Sequence, residues 1–121
     1  MADKPLMPRI ELQDGPASDV CRLRLRIEDD LFWFDGHFPD TPILPGVVQM
    51  NWARQLGFAL WPECEWIRRA SNLEVVKFQQ VVRPGDSVEL VLTLERDRQR
   101  LGFAYSAGEK HYSSGRLVVV A

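Results

Sequence analysis

Long hydrophobic runs are missing from this 121-residue chain. None approaches the ~20 apolar residues that a membrane-spanning helix needs, so no membrane partner is expected. Cysteine is scarce. Cys21 and Cys64 are the only two, and their spacing fits neither a metal site nor a redox pair. Two buried thiols in a reducing compartment are expected rather than a disulfide. An excess of positive charge is absent as well. Fifteen Lys and Arg stand against seventeen Asp and Glu, for a formal charge of -2, so the broad basic field that nucleic-acid binding relies on is lacking. No charged-then-apolar leader opens the chain, which makes a cytoplasmic location the expectation. Repeats and low-complexity tracts are also missing. What remains is ordinary for a soluble protein, 45% hydrophobic and 26% charged, and fits one domain over residues 1–121 with one core.

Strand patterns occupy both ends of the chain. "RIELQ" is a short candidate. "DVCRLRLRI" (residues 19–27) sets Cys21, Leu23, Leu25 and Ile27 against Val20, Arg22, Arg24 and Arg26, a period of two with one apolar face. "DGPAS" between them has the composition of a turn. Later candidates are "WIRRASNLEVVKF", "SVELVLTLERD", "RLGFAYSAG" and "GRLVVVA". "RPGD" reads as a turn, and "DRQR" and "AGEK" can each close a hairpin. No helices separate these strands, so the sheet is expected to be mainly antiparallel.

One convincing helix runs from about Gly46 to Leu60. Pro45 stands just before it or begins it, and Pro62 helps to end it. Its residues are apolar almost all round, which predicts burial on most sides. Asn51 and Gln55, four apart, share one stripe. A long buried central helix wrapped by an antiparallel β-sheet is an α+β arrangement of the hot-dog kind.

Between strands and helix lies "GHFPDTPILPG" (residues 36–46), the unusual stretch of the chain. Histidine is the side chain best suited to moving a proton near neutral pH. The helix that begins near Gly46 presents unpaired amides and the positive end of its dipole, which can polarise a carbonyl. A base beside such a helix end suits removal of a proton α to a carbonyl. Read alone, His37 is more readily a core or turn histidine whose ring is merely hydrogen-bonded. Asp35 and Asp40 read as solvated turn residues. His111 has no partner motif.

Gly36-His37-Phe38-Pro39, Pro42 and Pro45-Gly46-Val47, continuing to Ala53 and Gln55, resemble the signature of the FabA/FabZ-type 3-hydroxyacyl-thioester dehydratases. Phe78 with Val82, Pro84, Gly85 and Asp86 is similar to the strand and turn that follow the helix in that family, and "SGRLVVV" to its last strand. The wording "QMNWA" is similar to that of small dehydratase-like proteins from aryl-polyene gene clusters. The resemblance implies a hot-dog fold and loss of water from a 3-hydroxyacyl thioester to give a trans-2-enoyl thioester, without cofactor or metal. It places His37 as the base and Gly46 as the amide that holds the thioester carbonyl. Val47, Phe38 and Gln55 fall at other substrate-binding positions. Fourteen residues past His37 the family carries Glu or Asp, which assists departure of the hydroxyl and in the family dimer reaches a histidine of the neighbouring subunit. Here that position is Asn51, which can hydrogen-bond but not act as a general acid.

The resemblance further implies an acyl carrier protein or CoA thioester as the substrate carrier, and a homodimer or larger oligomer. Lys77, Arg83, Arg68 and Arg69 are candidates for docking the carrier or its phosphate. Gln79 and Gln80 stand where relatives carry basic residues. Arg96, Arg98 and Arg100, interleaved with Glu95 and Asp97, read as a solvated hairpin tip. The aromatics around the histidine stretch read mostly as core, and in the family reading some also line an acyl tunnel. Asn51 leaves two other readings open. One is a non-catalytic or half-active subunit that pairs with a true dehydratase, as a hetero-dimer. The other is a hot-dog thioesterase.

Overall fold

Alternation of side chains threads the second strand through the sheet. In β2 (Val20–Arg26) Cys21, Leu23 and Leu25 are buried, whereas Val20, Arg22 and Arg24 are exposed. The structure, a computed structural model, describes residues 4–34 and 42–119. The remaining strands are β1 (Arg9–Ala17), β3 (Asn72–Phe78), β4 (Ser87–Glu95), β5 (Arg100–Ala107) and β6 (Lys110–Val118). They form one antiparallel six-stranded sheet in the order β1-β2-β4-β5-β6-β3. Val88, Leu90, Leu92 and Leu94 of β4 and Leu101, Phe103 and Tyr105 of β5 continue the buried face. Each such large apolar side chain contributes roughly 1.5–3 kcal/mol by leaving water. "DRQR" and "AGEK" do turn the chain, between β4 and β5 and between β5 and β6. The "RPGD" turn is closed by Asp86, whose carboxylate accepts the Arg83 amide at 3.0 Å.

Helix α1 (Gly46–Leu60) lies against this face. Pro45, at φ -60° and ψ 146°, stands just before it, and Trp61 closes it by donating its amide to the Gly57 carbonyl at 2.9 Å. At Gly57 a Cβ would meet Leu101 Cδ2 at 2.5 Å, so glycine permits the close approach of α1 to β5. Trp52 and Ala53 are fully buried.

Four sequence expectations are corrected. "DGPAS" is not a turn between strands. Asp14 and Ala17 still pair with β2, Gly15 at φ 110° absorbs an irregularity, and the reversal is made by Ser18 and Asp19. "WIRRASNLEVVKF" is not one strand, because Glu65–Arg69 form a 3-10 turn that buries Trp66 and Ile67 before β3 begins. Helix α1 is buried along one face rather than on most sides. Val47 is 57% exposed, and Gln55 and Ala59 are exposed. Its apolar composition therefore exceeds what this chain's sheet covers. Lastly, Arg96 is not simply solvated: it donates to Asp19 and Glu63 at 3.0 Å each, joining the β1–β2 turn, the β4–β5 hairpin and the chain after α1. Cys21 and Cys64 are free and buried, as expected.

Candidate active site

The first turn of a helix has amides with no carbonyl ahead of them. In α1 the amides of Val48 and Gln49 both reach back to the Pro45 carbonyl, at 3.1 and 3.3 Å, and those of Gly46 and Val47 have no partner among the described residues. They stand at the positive end of a fifteen-residue helix. Beside Gly46 opens a cleft of about 230 Å³, walled by Ile43, Leu44, Pro45, Gln49 and the run Phe78–Val81. The Phe78 ring lies so close that a Cβ on Gly46 would meet it at 2.6 Å. Glycine here keeps the amide reachable under an aromatic cover.

Beneath the cleft lies a polar scaffold that the sequence reading passed over. Gln49 is 3% exposed on the sheet-facing side of α1. Its Nε2 donates to the Leu44 carbonyl at 3.2 Å, and its Oε1 accepts from the Ser113 hydroxyl at 2.6 Å. The Tyr105 hydroxyl donates to the Gln49 backbone carbonyl at 2.6 Å. Burial pushes the Tyr105 phenol far above its usual range, so it remains a donor throughout working pH. Ser113 reaches Gln49 because the β5–β6 register shifts between Tyr105 and Ser106, turning both Tyr112 and Ser113 inward. Leu44 is further held by its amide on the Val82 carbonyl at 2.8 Å. The turn that precedes Gly46 is thus tied to two strands and to its own helix. The available signal was position: Gln49 shares a helical face with Trp52 and Ala53.

Asn51 lies elsewhere. With Val47, Met50, Arg54, Ala70, Ser71, Leu73 and Leu117 it lines a second recess of about 160 Å³, where α1 meets the β6–β3 end of the sheet. Its Oδ1 accepts from the Arg54 guanidinium at 3.1 Å. Within one chain, then, Gly46 and Asn51 open into different recesses.

His37 and Phe38, the expected base and substrate contact, lie outside the described residues, as do Asp35 and Asp40. The chain on either side is anchored. The indoles of Trp33 and Trp52 donate to one carbonyl, that of Leu6, at 2.7 and 2.9 Å, which ties the approach to α1. On the far side Leu44 is held as described above.

A sequence model for the ApeI-like family, described as ApeI dehydratase, matches residues 13–116. The chain belongs to the ApeI-like dehydratase family. It is 35% identical over 101 residues to the 3-hydroxyacyl-[acyl-carrier-protein] dehydratase FabZ of Ligilactobacillus salivarius, covering 80% of this chain and 71% of that one. Among solved structures it is similar to a chain of the dehydratase heterocomplex ApeI:P from Xenorhabdus doucetiae, with a TM-score of 0.80 and 29% identity over 92% of this chain and 96% of that one. An uncharacterized protein from Erwinia carotovora subsp. atroseptica matches with a TM-score of 0.76 and 30% identity, covering 93% and 94%. The fold of an ApeI-like dehydratase is thus the hot-dog arrangement, and its enzyme class is that of the hydro-lyases. Neither the non-catalytic subunit nor the thioesterase is favoured by these likenesses.

The other expected residues of this ApeI-like chain are dispersed. Val47 is exposed on the rim of the Asn51 recess, whereas Gln55 is exposed and lines neither recess. Lys77 faces a shallow trough on the outer side of the sheet, Arg83 sits in the turn before β4, and Arg68 and Arg69 follow α1 in the 3-10 turn. Arg68 is engaged by Glu65 at 3.1 Å and lies 5.6 Å from the centre of the Phe58 ring. No ion pair or recess among the described residues joins these four cations. His111 is exposed on β6. No described helix is long and apolar enough to cross a membrane.

Proposed function

We propose that this chain removes water from a 3-hydroxyacyl thioester carried on an acyl carrier protein, leaving the trans-2-enoyl thioester. The observation that carries the reading is the Gly46 cleft, where helix-start amides without a partner among the described residues meet an opening only glycine leaves. A thioester oxygen accepting from the Gly46 amide draws electron density from C2 and makes its proton easier to remove. His37 takes that proton. The electron pair of the broken C2–H bond becomes the C2=C3 double bond as the C3–O bond breaks, and the departing oxygen receives the proton His37 has just gained, leaving as water. Because Gly46 and Asn51 of one chain open into different recesses, the Asn51 that meets this oxygen comes from a neighbouring copy, and it contributes a hydrogen bond but no proton. The carrier is supported by the name of the Ligilactobacillus relative, and the four dispersed cations remain its proposed contacts.

An oligomer is the working form in this reading. Strand β3 is an open edge, and Val75, Val76, Phe78 and Val81 are exposed along it and its continuation, with Val47 exposed on α1. A homodimer would cover such a surface. The likeness to a chain of a heterocomplex supports a hetero-oligomer as the second arrangement. Light scattering separates them: a stable dimer of the purified chain supports the first, and a monomer that assembles only with another dehydratase-like chain supports the second.

The activity test is hydration of a 2-enoyl thioester, followed by loss of its conjugated absorbance, with free thiol measured in parallel. Turnover by the wild type that falls by about 10²–10⁴-fold in His37→Ala is expected, the range general acid–base assistance supplies. Equal rates for the two proteins, or release of thiol without hydration, would contradict the proposal.

A further inference from the structure

An arginine guanidinium carries five N–H donors and no acceptor. The Asn51 side chain ends in one acceptor, Oδ1, and one donor group, Nδ2. Whatever faces Arg54 must therefore be Oδ1, and the 3.1 Å contact has that sense. The two residues lie three apart on α1, the spacing at which side chains meet. With Oδ1 taken, the planar amide turns Nδ2 away from Arg54, and no described residue engages it. Both residues line the same recess, where Arg54 is the only charged side chain among the described lining residues.

We propose that Arg54 is a positioning residue that fixes the Asn51 amide with its Nδ2 donor presented to the recess, as a permanent hydrogen-bond donor for the oxygen leaving C3. This rests on the dehydratase reading above and deepens it. Without Arg54 the amide can turn over and offer the departing oxygen a lone pair instead of an N–H. The pairing also explains why an amide suits this position in this chain. A carboxylate placed next to the same guanidinium would be held ionised, as an acceptor only, and would be a poor donor at neutral pH.

The test compares wild type, Arg54→Leu, Arg54→Lys, Asn51→Asp and the double variant Asn51→Asp/Arg54→Leu in enoyl-thioester hydration across pH. Arg54→Leu should lower kcat about five- to tenfold with KM within about twofold and an unmoved thermal midpoint, and Arg54→Lys, which restores a donor-only cation, should recover most of the loss. Asn51→Asp should not exceed wild type at neutral pH. Acid strong enough to protonate that carboxylate also protonates His37, so its activity should stay below wild type at every pH, with or without Arg54. Carbon-13 titration of the introduced carboxyl reads the same grip without turnover: below the ordinary ~3.9 with Arg54 present, higher without it. Unchanged kcat in Arg54→Leu, failure of Arg54→Lys to recover, or coincident titrations with and without Arg54 would overturn the proposal while leaving the dehydratase reading standing. A wild type that does not hydrate any enoyl thioester overturns the reading itself, and with it the role given to Asn51.

Discussion

The recesses on the two sides of α1 are built to different standards. At Gly46 every element is held: the preceding turn by Gln49 and Val82, Gln49 by Ser113 and Tyr105, and the glycine by the ring of Phe78. At Asn51 one hydrogen bond from Arg54 orders the amide, and the rim includes Val47 at 57% exposure. The first recess is braced from beneath by its own chain, although Phe78 and Val81 on its rim are exposed; the second has an apolar rim and only that one bond. A carbonyl-holding site needs donors fixed before the reaction begins, since reorganising them costs part of what they supply. A surface prepared for another chain needs the opposite, apolar side chains left bare until they meet.

This contrast is broken most severely at Gln49. Replacing it by Leu strands the Ser113 hydroxyl and the Leu44 carbonyl in the interior, which should cost about 2–4 kcal/mol in urea unfolding and loosen the turn before Gly46. Hydration activity should fall with it in whatever fraction remains folded. A shift below about 0.5 kcal/mol would mean that the buried network does not hold the turn.

Tyr105 gives the next largest effect. Its phenol ionises near 10 when unfolded and only well above that when buried, so between these values the unfolded chain sheds a proton that the folded chain keeps. The contribution is fully present below pH 10 and is lost as pH rises above it, with a slope approaching ~1.4 kcal/mol per pH unit. Unfolding followed from pH 9 to 11 should show this slope in the wild type and a flatter one in Tyr105→Phe. Parallel curves would place the alkaline loss elsewhere.

The smallest stability effect belongs to the other recess. Asn51→Leu removes one half-exposed hydrogen bond on a helix surface and should change unfolding by no more than about 0.5 kcal/mol. Its kcat should nevertheless fall. A large loss of stability would show that the two recesses are equally built into the core.

How much of this was legible in the sequence depended on whether a local rule decided the outcome. The period of two in β2 survived because its alternate residues enter one core. Helix α1 began at Gly46 as its proline and glycine required. The turn expected at "DGPAS" failed because pairing with β2 outweighed composition, with Gly15 absorbing the irregularity. The burial of α1 was overestimated because apolar residues such as Val47 and Met50 look the same in a sequence whether they face their own sheet or open recess. Gln49 was overlooked because its role depends on Ser113 and Tyr105, two strands distant, and on a register shift that no motif announces. The roles of His37, Gly46 and Asn51 came from the resemblance rather than from spacing. Arg54 came from neither: only the contact with Asn51 brings it forward.

The measurement that tests the central claim most directly is enoyl-thioester hydration by Gly46→Ala beside its unfolding midpoint. The added methyl meets only the rim of the exposed Phe78 ring, which can swing aside, so stability should stay within about 1 kcal/mol of wild type. Alanine keeps the N–H, but its methyl and the displaced ring would close the approach to it; if that amide holds the thioester oxygen, activity should fall by about 10²-fold, the loss expected when one such donor is put out of reach. Full activity in a stably folded Gly46→Ala would contradict the account, because the carbonyl would then be held somewhere other than the start of α1.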